Sequence, residues 1–223
     1  MNSPGRVVPA AVQGSLFTVQ SEQLQIAEHS WLFKGFAVQQ SRAILDALHD
    51  VLAHAPLRKM PTARGWMSVS QSNCGAHGWI SDRKGYRYTS VDPLTGLRWP
   101  DMPAVFYRLA VQAASLAGFS AFDPQACLIN EYAPGARMGL HQDRDEADLV
   151  SPIVSVSLGL PATFLFGGNT RSSPVSKINL EHGDVLVWGG SDRLRFHGVM
   201  PVKAGLSGSP LACRVNLTFR RVT

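Results

Sequence analysis

Cys213-Arg-Val-Asn-Leu-Thr-Phe-Arg220 alternates strictly between polar and apolar side chains. Successive side chains of a strand point to opposite faces, so Val215, Leu217 and Phe219 share one face and Arg214, Asn216, Thr218 and Arg220 the other. The ordinary expectation for such a strand is a half-exposed position with the polar face in water. Two arginines on one face also suit a dicarboxylate, because guanidinium makes bidentate, charge-assisted bonds to carboxylates. Before this segment the chain is a succession of short strands, expected at residues 126–132, 153–158, 162–166, 177–180, 185–188, 195–199 and 212–220. Turns rich in Gly, Pro, Asn and Asp separate them. Evenly spaced short strands of this kind point to a jelly roll or another closed β architecture.

Upstream the pattern changes. Ile44, Leu45, Leu48, Val51 and Leu52 recur at helical spacing within 40–54, and Pro56 follows. A second helix is expected over 103–117, with Pro103 at its start and Gly118 just past its end. Between them, from Met60 to Pro103, lie short strands and turns dense in Gly, Trp, Tyr and basic residues. The reading divides the chain into an N-terminal arm (1–30, loose, with one strand near 15–19), a segment of helical support and β-rich lid (31–122), and a core (123–223). Arm, support and core form one compact unit.

Within the core, His141-Gln-Asp143 is followed by a distant His197. Residues two apart in an extended segment project to one side, so His141 and Asp143 present a nitrogen and a carboxylate oxygen together. Two His and one carboxylate on one face leave three positions of an octahedral metal open, the facial triad of non-haem Fe(II) oxygenases. Zinc prefers a closed tetrahedral set. A second His-x-Asp, His182-Gly-Asp184, competes by pattern alone. It leads directly into the apolar run 185–188 and reads as a hairpin turn. It also lies too close to His197 to leave room for intervening strands. Residues Asn130 and Tyr132, with Leu128, share a face of another expected strand and are placed to add contacts to an acid held by Arg214 and Arg220.

The 223 residues carry a net charge of +5, which suits a nucleic-acid partner without requiring one. Cys74, Cys127 and Cys213 are odd in number and form no CxxC pair, so neither a disulfide framework nor a zinc ribbon is expected and a reducing cytoplasm fits. No signal peptide and no span long enough for a membrane are read.

Taken in order, Asn73-Cys-Gly-Ala-His-Gly-Trp79, Gly85-Tyr-Arg-Tyr88, Val91-Asp-Pro93, Leu128-Ile-Asn-Glu-Tyr-Ala-Pro-Gly-Ala-Arg137, Leu140-His-Gln-Asp-Arg-Asp-Glu146, Pro152-Ile-Val-Ser-Val-Ser-Leu-Gly159, Glu181-His-Gly-Asp-Val-Leu-Val-Trp-Gly-Gly190 and Arg214-Val-Asn-Leu-Thr-Phe-Arg220 resemble the bacterial AlkB family of alpha-ketoglutarate-dependent DNA dealkylases. That family belongs to the Fe(II)/2-oxoglutarate dioxygenase superfamily. The resemblance covers about residues 56–221. It implies a mainly β (α+β) fold: a double-stranded β-helix, or jelly roll, with flanking helices and an N-terminal β-rich nucleotide-recognition lid. It implies Fe(II) at His141, Asp143 and His197, with 2-oxoglutarate and O2 as cosubstrates. The 2-oxoglutarate contacts expected are Leu128, Asn130, Tyr132, Arg214, Asn216, Thr218 and Arg220.

The implied activity is oxidative demethylation of N1-methyladenine and N3-methylcytosine, releasing formaldehyde, succinate and CO2. The implied partner is alkylated single-stranded DNA, with double-stranded DNA or RNA as variants, and the enzyme is read as a cytoplasmic monomer. Trp79, Tyr86, Asp145 and Arg171 match positions that handle the damaged base and its strand. Tyr88 adds a further flat surface, with Arg83, Lys84 and Arg87 interleaved for phosphates. The chain departs from the family at three places. Gln71 stands where an apolar lid residue is expected, Glu131 replaces a basic residue, and residues 61–66 diverge. Two rivals remain: a jelly-roll oxygenase acting on a protein or small molecule, and a nucleic-acid-binding protein that has lost activity.

Overall fold

A computed structural model describes residues 22–62, 65–205 and 209–223. Its organising strand is β14 (Arg214–Arg220), which pairs antiparallel with β7 (Ala126–Tyr132) on one side and β9 (Ile153–Gly159) on the other. Every residue of β14 is buried. The polar face therefore does not meet solvent, which corrects the half-exposed expectation. Val215, Leu217 and Phe219 pack beneath helices α1 (Ser41–His54) and α2 (Ala104–Leu116), with Phe106 edge-on to Phe219. The polar residues face inward, into a cavity.

Eight strands form the major sheet, in the order β1 (Gln23–Ala27), β2 (Ser30–Phe33), β12 (Val185–Trp188), β9, β14, β7, β4 (Gly65–Gly75) and β3 (Arg58–Thr62). Four form the minor sheet: β11 (Ser176–Leu180), β10 (Ala162–Phe166), β13 (His197–Val199) and β8 (Met138–His141). Trp188 and Ile153 of the major sheet pack on Phe164 and Phe166 of the minor, joining the two faces in a second core. From β7 to β14 the chain passes between the sheets at each step except the β10–β11 hairpin. That winding is the double-stranded β-helix expected. A separate hairpin, β5 (Gly78–Asp82) with β6 (Gly85–Thr89), stands over one end.

Both helices form where they are expected, α1 from its apolar spacing and α2 from its terminators. Ile44, Leu48 and Val51 are the buried stripe of α1. Pro103 caps α2, and Gly118, at φ +91°, closes it in a conformation that favours glycine. The expected strand at 15–19 lies outside the described residues. Part of the segment read as a loose arm is ordered sheet: β1 and β2 extend the major sheet beside β12. The strand expected from residue 195 begins only at His197, because Arg195 N–H still closes a turn on the Asp192 carbonyl. Likewise the last strand begins at Arg214 rather than 212.

The His182-Gly-Asp184 turn is not a hairpin, since β11 and β12 belong to different sheets. It is a crossover pinned by Asp184, whose carboxylate accepts from the Gly35 and Glu181 amides, each at 2.8 Å, and from Lys34 Nζ. A Cβ on Gly183 would come within 2.4 Å of Val38, so the crossover packs tightly.

Outside the jelly roll, Arg58 makes a two-pronged pair with Asp92 at 2.8 and 2.7 Å, tying the end of the β6 segment to β3. Burial raises the Asp92 pKa, but the Arg58 bonds and the Leu94 amide outweigh it and hold the carboxyl below its ordinary range. A depressed folded pKa means the pair stabilises fully at neutral pH and loses its contribution as pH falls below the ordinary carboxylate range. Asp92→Ala is expected to cost about 2–4 kcal/mol in urea unfolding at pH 7, somewhat under a fully buried pair because Arg58 keeps partial solvent access. The deficit should hold down to about pH 4 and narrow only below it. A loss under about 1 kcal/mol would show the pair to be weak, as surface pairs are.

Candidate active site

The site is assembled by register. On β14 and β7, Arg214 lies opposite Tyr132, Asn216 opposite Asn130 and Thr218 opposite Leu128. On the facing sheet, His197 of β13 lies opposite His141 of β8. Asp143 follows β8 directly, and its neighbour Gln142 is anchored through Nε2 to the Leu194 carbonyl at 2.6 Å. These side chains line one cavity of about 600 Å³ between the sheets.

His141, Asp143 and His197 are the one His/Cys/Asp/Glu group among the described residues placed to hold a metal, their ligand atoms all within 4.8 Å. The His182 alternative is not part of it. Asp143 Oδ1 lies 3.4 Å from His141 Nε2 and 3.8 Å from His197 Nε2. Both Nδ1 atoms contact backbone carbonyls, of Gly139 at 2.9 Å and Arg195 at 3.0 Å. A carbonyl only accepts, so each Nδ1 carries the proton and each Nε2 is left to ligate.

Burial, and then the His141 charge, push His197 down to about 4, so it is neutral at pH 7. Burial opposes charge on His141 too, but Asp143 carries that ring above its ordinary value. Asp143 itself sits well below the carboxylate range: burial works against ionisation, and Arg220 and the two histidines overcome it. Arg220 holds the carboxylate through Nε at 3.0 Å and through Nη2.

At the other end of the cavity Arg214 is 1% exposed. Its Nη2 donates to Ser157 Oγ at 3.1 Å and its guanidinium lies over the Tyr132 ring at 4.9 Å. Among the described residues no carboxylate pairs with it, and Nε and Nη1 are buried without a partner. A buried cation with two idle donors fits an anion with two acceptor oxygens. Asn216 and Thr218 are already committed: Asn216 donates to Ser155 Oγ and the Val156 carbonyl, and accepts from Thr218.

The β5–β6 hairpin overhangs the metal end. Trp79 and Tyr86 stack with ring centres 5.3 Å apart and planes 25° apart. Trp79 Nε1 donates to Asp145 Oδ2 at 2.9 Å. Trp79, Tyr86, Asp145 and Arg171 all line the cavity, Arg171 lying over Phe196. Two expected residues lie elsewhere. Arg87 forms a two-pronged pair with Asp82 inside the hairpin, both contacts at 2.7 Å. Tyr88 donates to Glu146 Oε1 at 2.6 Å, behind the cavity wall.

The sequence reading missed Glu146, a buried acid shared by Tyr88, Arg193 and Arg220. It ties the hairpin to the arginine that holds Asp143. It stands in the acidic cluster 143–148, but nothing in sequence separates it from solvated neighbours. Arg193, which also donates to the Asp143 carbonyl at 2.7 Å, carried no signal either.

A metal site with open positions at one end, and at the other a cation awaiting a carboxylate, is what a 2-oxoglutarate-dependent non-haem iron oxygenase requires. Residues 30–220 match the family model described as the 2OG-Fe(II) oxygenase superfamily, and the chain belongs to that superfamily, as one of the AlkB alpha-ketoglutarate-dependent dioxygenases. It is 49% identical over 200 residues to the alpha-ketoglutarate-dependent dioxygenase AlkB of Escherichia coli (strain K12), covering 89% of this chain and 93% of that protein. It is 43% identical to the AlkB homolog of Caulobacter vibrioides (strain NA1000 / CB15N), over 82% and 83% of the two chains. The solved structure of OsALKBH1 superposes with a TM-score of 0.77 at 28% identity, over 90% of this chain and all of that one. The metal of the present chain is accordingly Fe(II), with 2-oxoglutarate and O2 as cosubstrates.

Proposed function

We propose that this enzyme repairs alkylated nucleic acid by oxidative demethylation of N1-methyladenine and N3-methylcytosine, acting chiefly on single-stranded DNA. The observation that carries the reading is the stacked Trp79–Tyr86 pair, fixed by Asp145, over the cavity that holds the triad and Arg214. A base methylated at a pairing-edge nitrogen is cationic. It gains from an aromatic face and from a nearby carboxylate. Such a base has already lost its pairing, so drawing it out of a strand costs less.

In this scheme His141, Asp143 and His197 hold Fe(II), while Arg214 receives the far carboxylate of 2-oxoglutarate. Arg220 keeps Asp143 ionised and in place, and the hairpin presents the base. Bound Fe(II), 2-oxoglutarate and O2 supply oxidation of the N-methyl carbon, and the hydroxymethylated base then releases formaldehyde, with succinate and CO2 as coproducts. The enzyme acts as a monomer in the cytoplasm, where Cys74 and Cys127, free thiols opposed across β4 and β7, stay reduced. Among the described residues no helix is long and apolar enough to cross a membrane.

The test is formaldehyde release from an oligonucleotide carrying one N3-methylcytosine, with and without iron. Iron-dependent release is expected. Consumption of 2-oxoglutarate with no formaldehyde would overturn the repair reading in favour of another substrate. Trp79→Ala should weaken binding of the methylated oligonucleotide roughly tenfold to hundredfold, the scale of one lost base stack, while substrate-free 2-oxoglutarate decay changes less than about twofold. Unchanged oligonucleotide affinity would remove Trp79 from base recognition.

A further inference from the structure

Gln71 and Asn130 are directly opposed across β4 and β7, side by side on the cavity wall. Both are buried, Gln71 to 1% exposure and Asn130 to 5%. Gln71 Nε2 donates to Asn130 Oδ1 at 2.7 Å, the one hydrogen bond that the Asn130 side chain makes among the described residues. Gln71 Oε1 is buried with no partner among the described residues. The AlkB resemblance leads one to expect an apolar side chain at position 71, so this polar pair is a property of this chain.

The pair has two possible senses. With Gln71 as donor, the Asn130 oxygen is used up and its Nδ2 is left to face the cavity with hydrogens. In the opposite sense, Asn130 Nδ2 donates to Gln71 Oε1, and the Asn130 oxygen faces the cavity. The first presents donors to a carboxylate; the second presents an acceptor that repels one. The structure shows the first, which leaves Gln71 Oε1 without a partner among the described residues, as the second would leave Gln71 Nε2.

We propose that Gln71 is a positioning residue, which turns the Asn130 amide so that its N–H groups face 2-oxoglutarate and thereby tightens cosubstrate binding. The proposal rests on the reading of Asn130 as a 2-oxoglutarate contact. It makes this wall of the site more specific for an anionic ligand than an apolar residue at 71 would.

The test is equilibrium binding of 2-oxoglutarate by calorimetry, with Mn(II) in place of iron and O2 excluded, alongside the Tm of the ligand-free protein. Gln71→Glu offers only acceptors, so it draws Asn130 Nδ2 toward itself and turns the oxygen to the cavity. Its Kd should rise about tenfold or more, and Asn130→Ala should rise about tenfold. Gln71→Met leaves Asn130 unoriented and should raise Kd about three- to tenfold with little change in Tm, because losing the stranded Gln71 carbonyl is offset by leaving Asn130 Oδ1 without its donor. In an Asn130→Ala background both Gln71 changes should add less than about twofold, since they act through Asn130.

Wild-type affinity in Gln71→Met would overturn the proposal. So would an undiminished Gln71→Glu effect in Asn130→Ala, which would mean simple charge repulsion. A fall in both Tm and affinity in Gln71→Met would assign Gln71 a structural role instead. An unchanged Kd in Asn130→Ala removes the contact on which the proposal stands; a loss there with Gln71→Met unaltered overturns the Gln71 step alone.

Discussion

Asp143→Asn is expected to reduce iron-dependent turnover to the no-iron background with the fold retained. Asp143 is the anionic member of the triad, kept ionised by Arg220 against its own burial. An amide supplies an oxygen of similar position but no charge, and binds a hard divalent cation far more weakly. The loss should exceed the ~10–100-fold typical of removing a group that merely orients a ligand. Arg220 does not become an orphan, because Glu146 Oε1 remains 3.2 Å from its Nε. Stability should therefore fall by about 1–3 kcal/mol, less than when a buried charge loses its sole partner. Turnover above background, with Fe(II) affinity near wild type, would remove Asp143 from the metal site.

That Glu146 shares the load explains what was and was not legible in the sequence. The triad was legible because an extended segment places residues two apart on one side, and because the 55 residues between His141 and His197 leave room for the strands that bring them together. The polar stripe of β14 was legible for the same reason. Its burial was not, since alternation tells that two faces differ but not that both are covered. Strand β8, which carries His141, escaped notice because it is four residues long and contains Gly139. The Gln71–Asn130 pair was invisible as a pair. It depends on the β4–β7 register across 59 residues of sequence separation, and composition carries no trace of register. The Glu146 hub fails for a further reason: Tyr88, Arg193 and Arg220 reach it from three separate elements, and the sequence assigns Tyr88 and Arg220 other partners and Arg193 none.

Arg214→Met should do two things that rarely go together: raise the stability of the ligand-free protein and abolish its response to 2-oxoglutarate. Among the described residues Arg214 is a buried cation without a carboxylate partner, with two of its nitrogens unpartnered. The Tyr132 ring and Ser157 offset part of that cost, and burial still draws its pKa downward. A methionine fills similar space without the desolvated charge. Replacements of this kind are neutral or stabilising, here by about 1–3 kcal/mol, or roughly 3–8 °C in Tm for a domain of this size. Against that gain stands the loss of two charge-assisted bonds to the far carboxylate, each about 1.5–3 kcal/mol, so that 2-oxoglutarate affinity falls about a hundredfold or more. Wild-type protein with Mn(II) should show a Tm that climbs with 2-oxoglutarate concentration, because the ligand binds only the folded state. The variant should start higher and stay flat. A variant that starts lower and still climbs would show that Arg214 supports the fold and that the cosubstrate is anchored elsewhere. The stability forgone at Arg214 then has a definite function: a cation that no protein carboxylate neutralises among the described residues is one that the cosubstrate need not compete for.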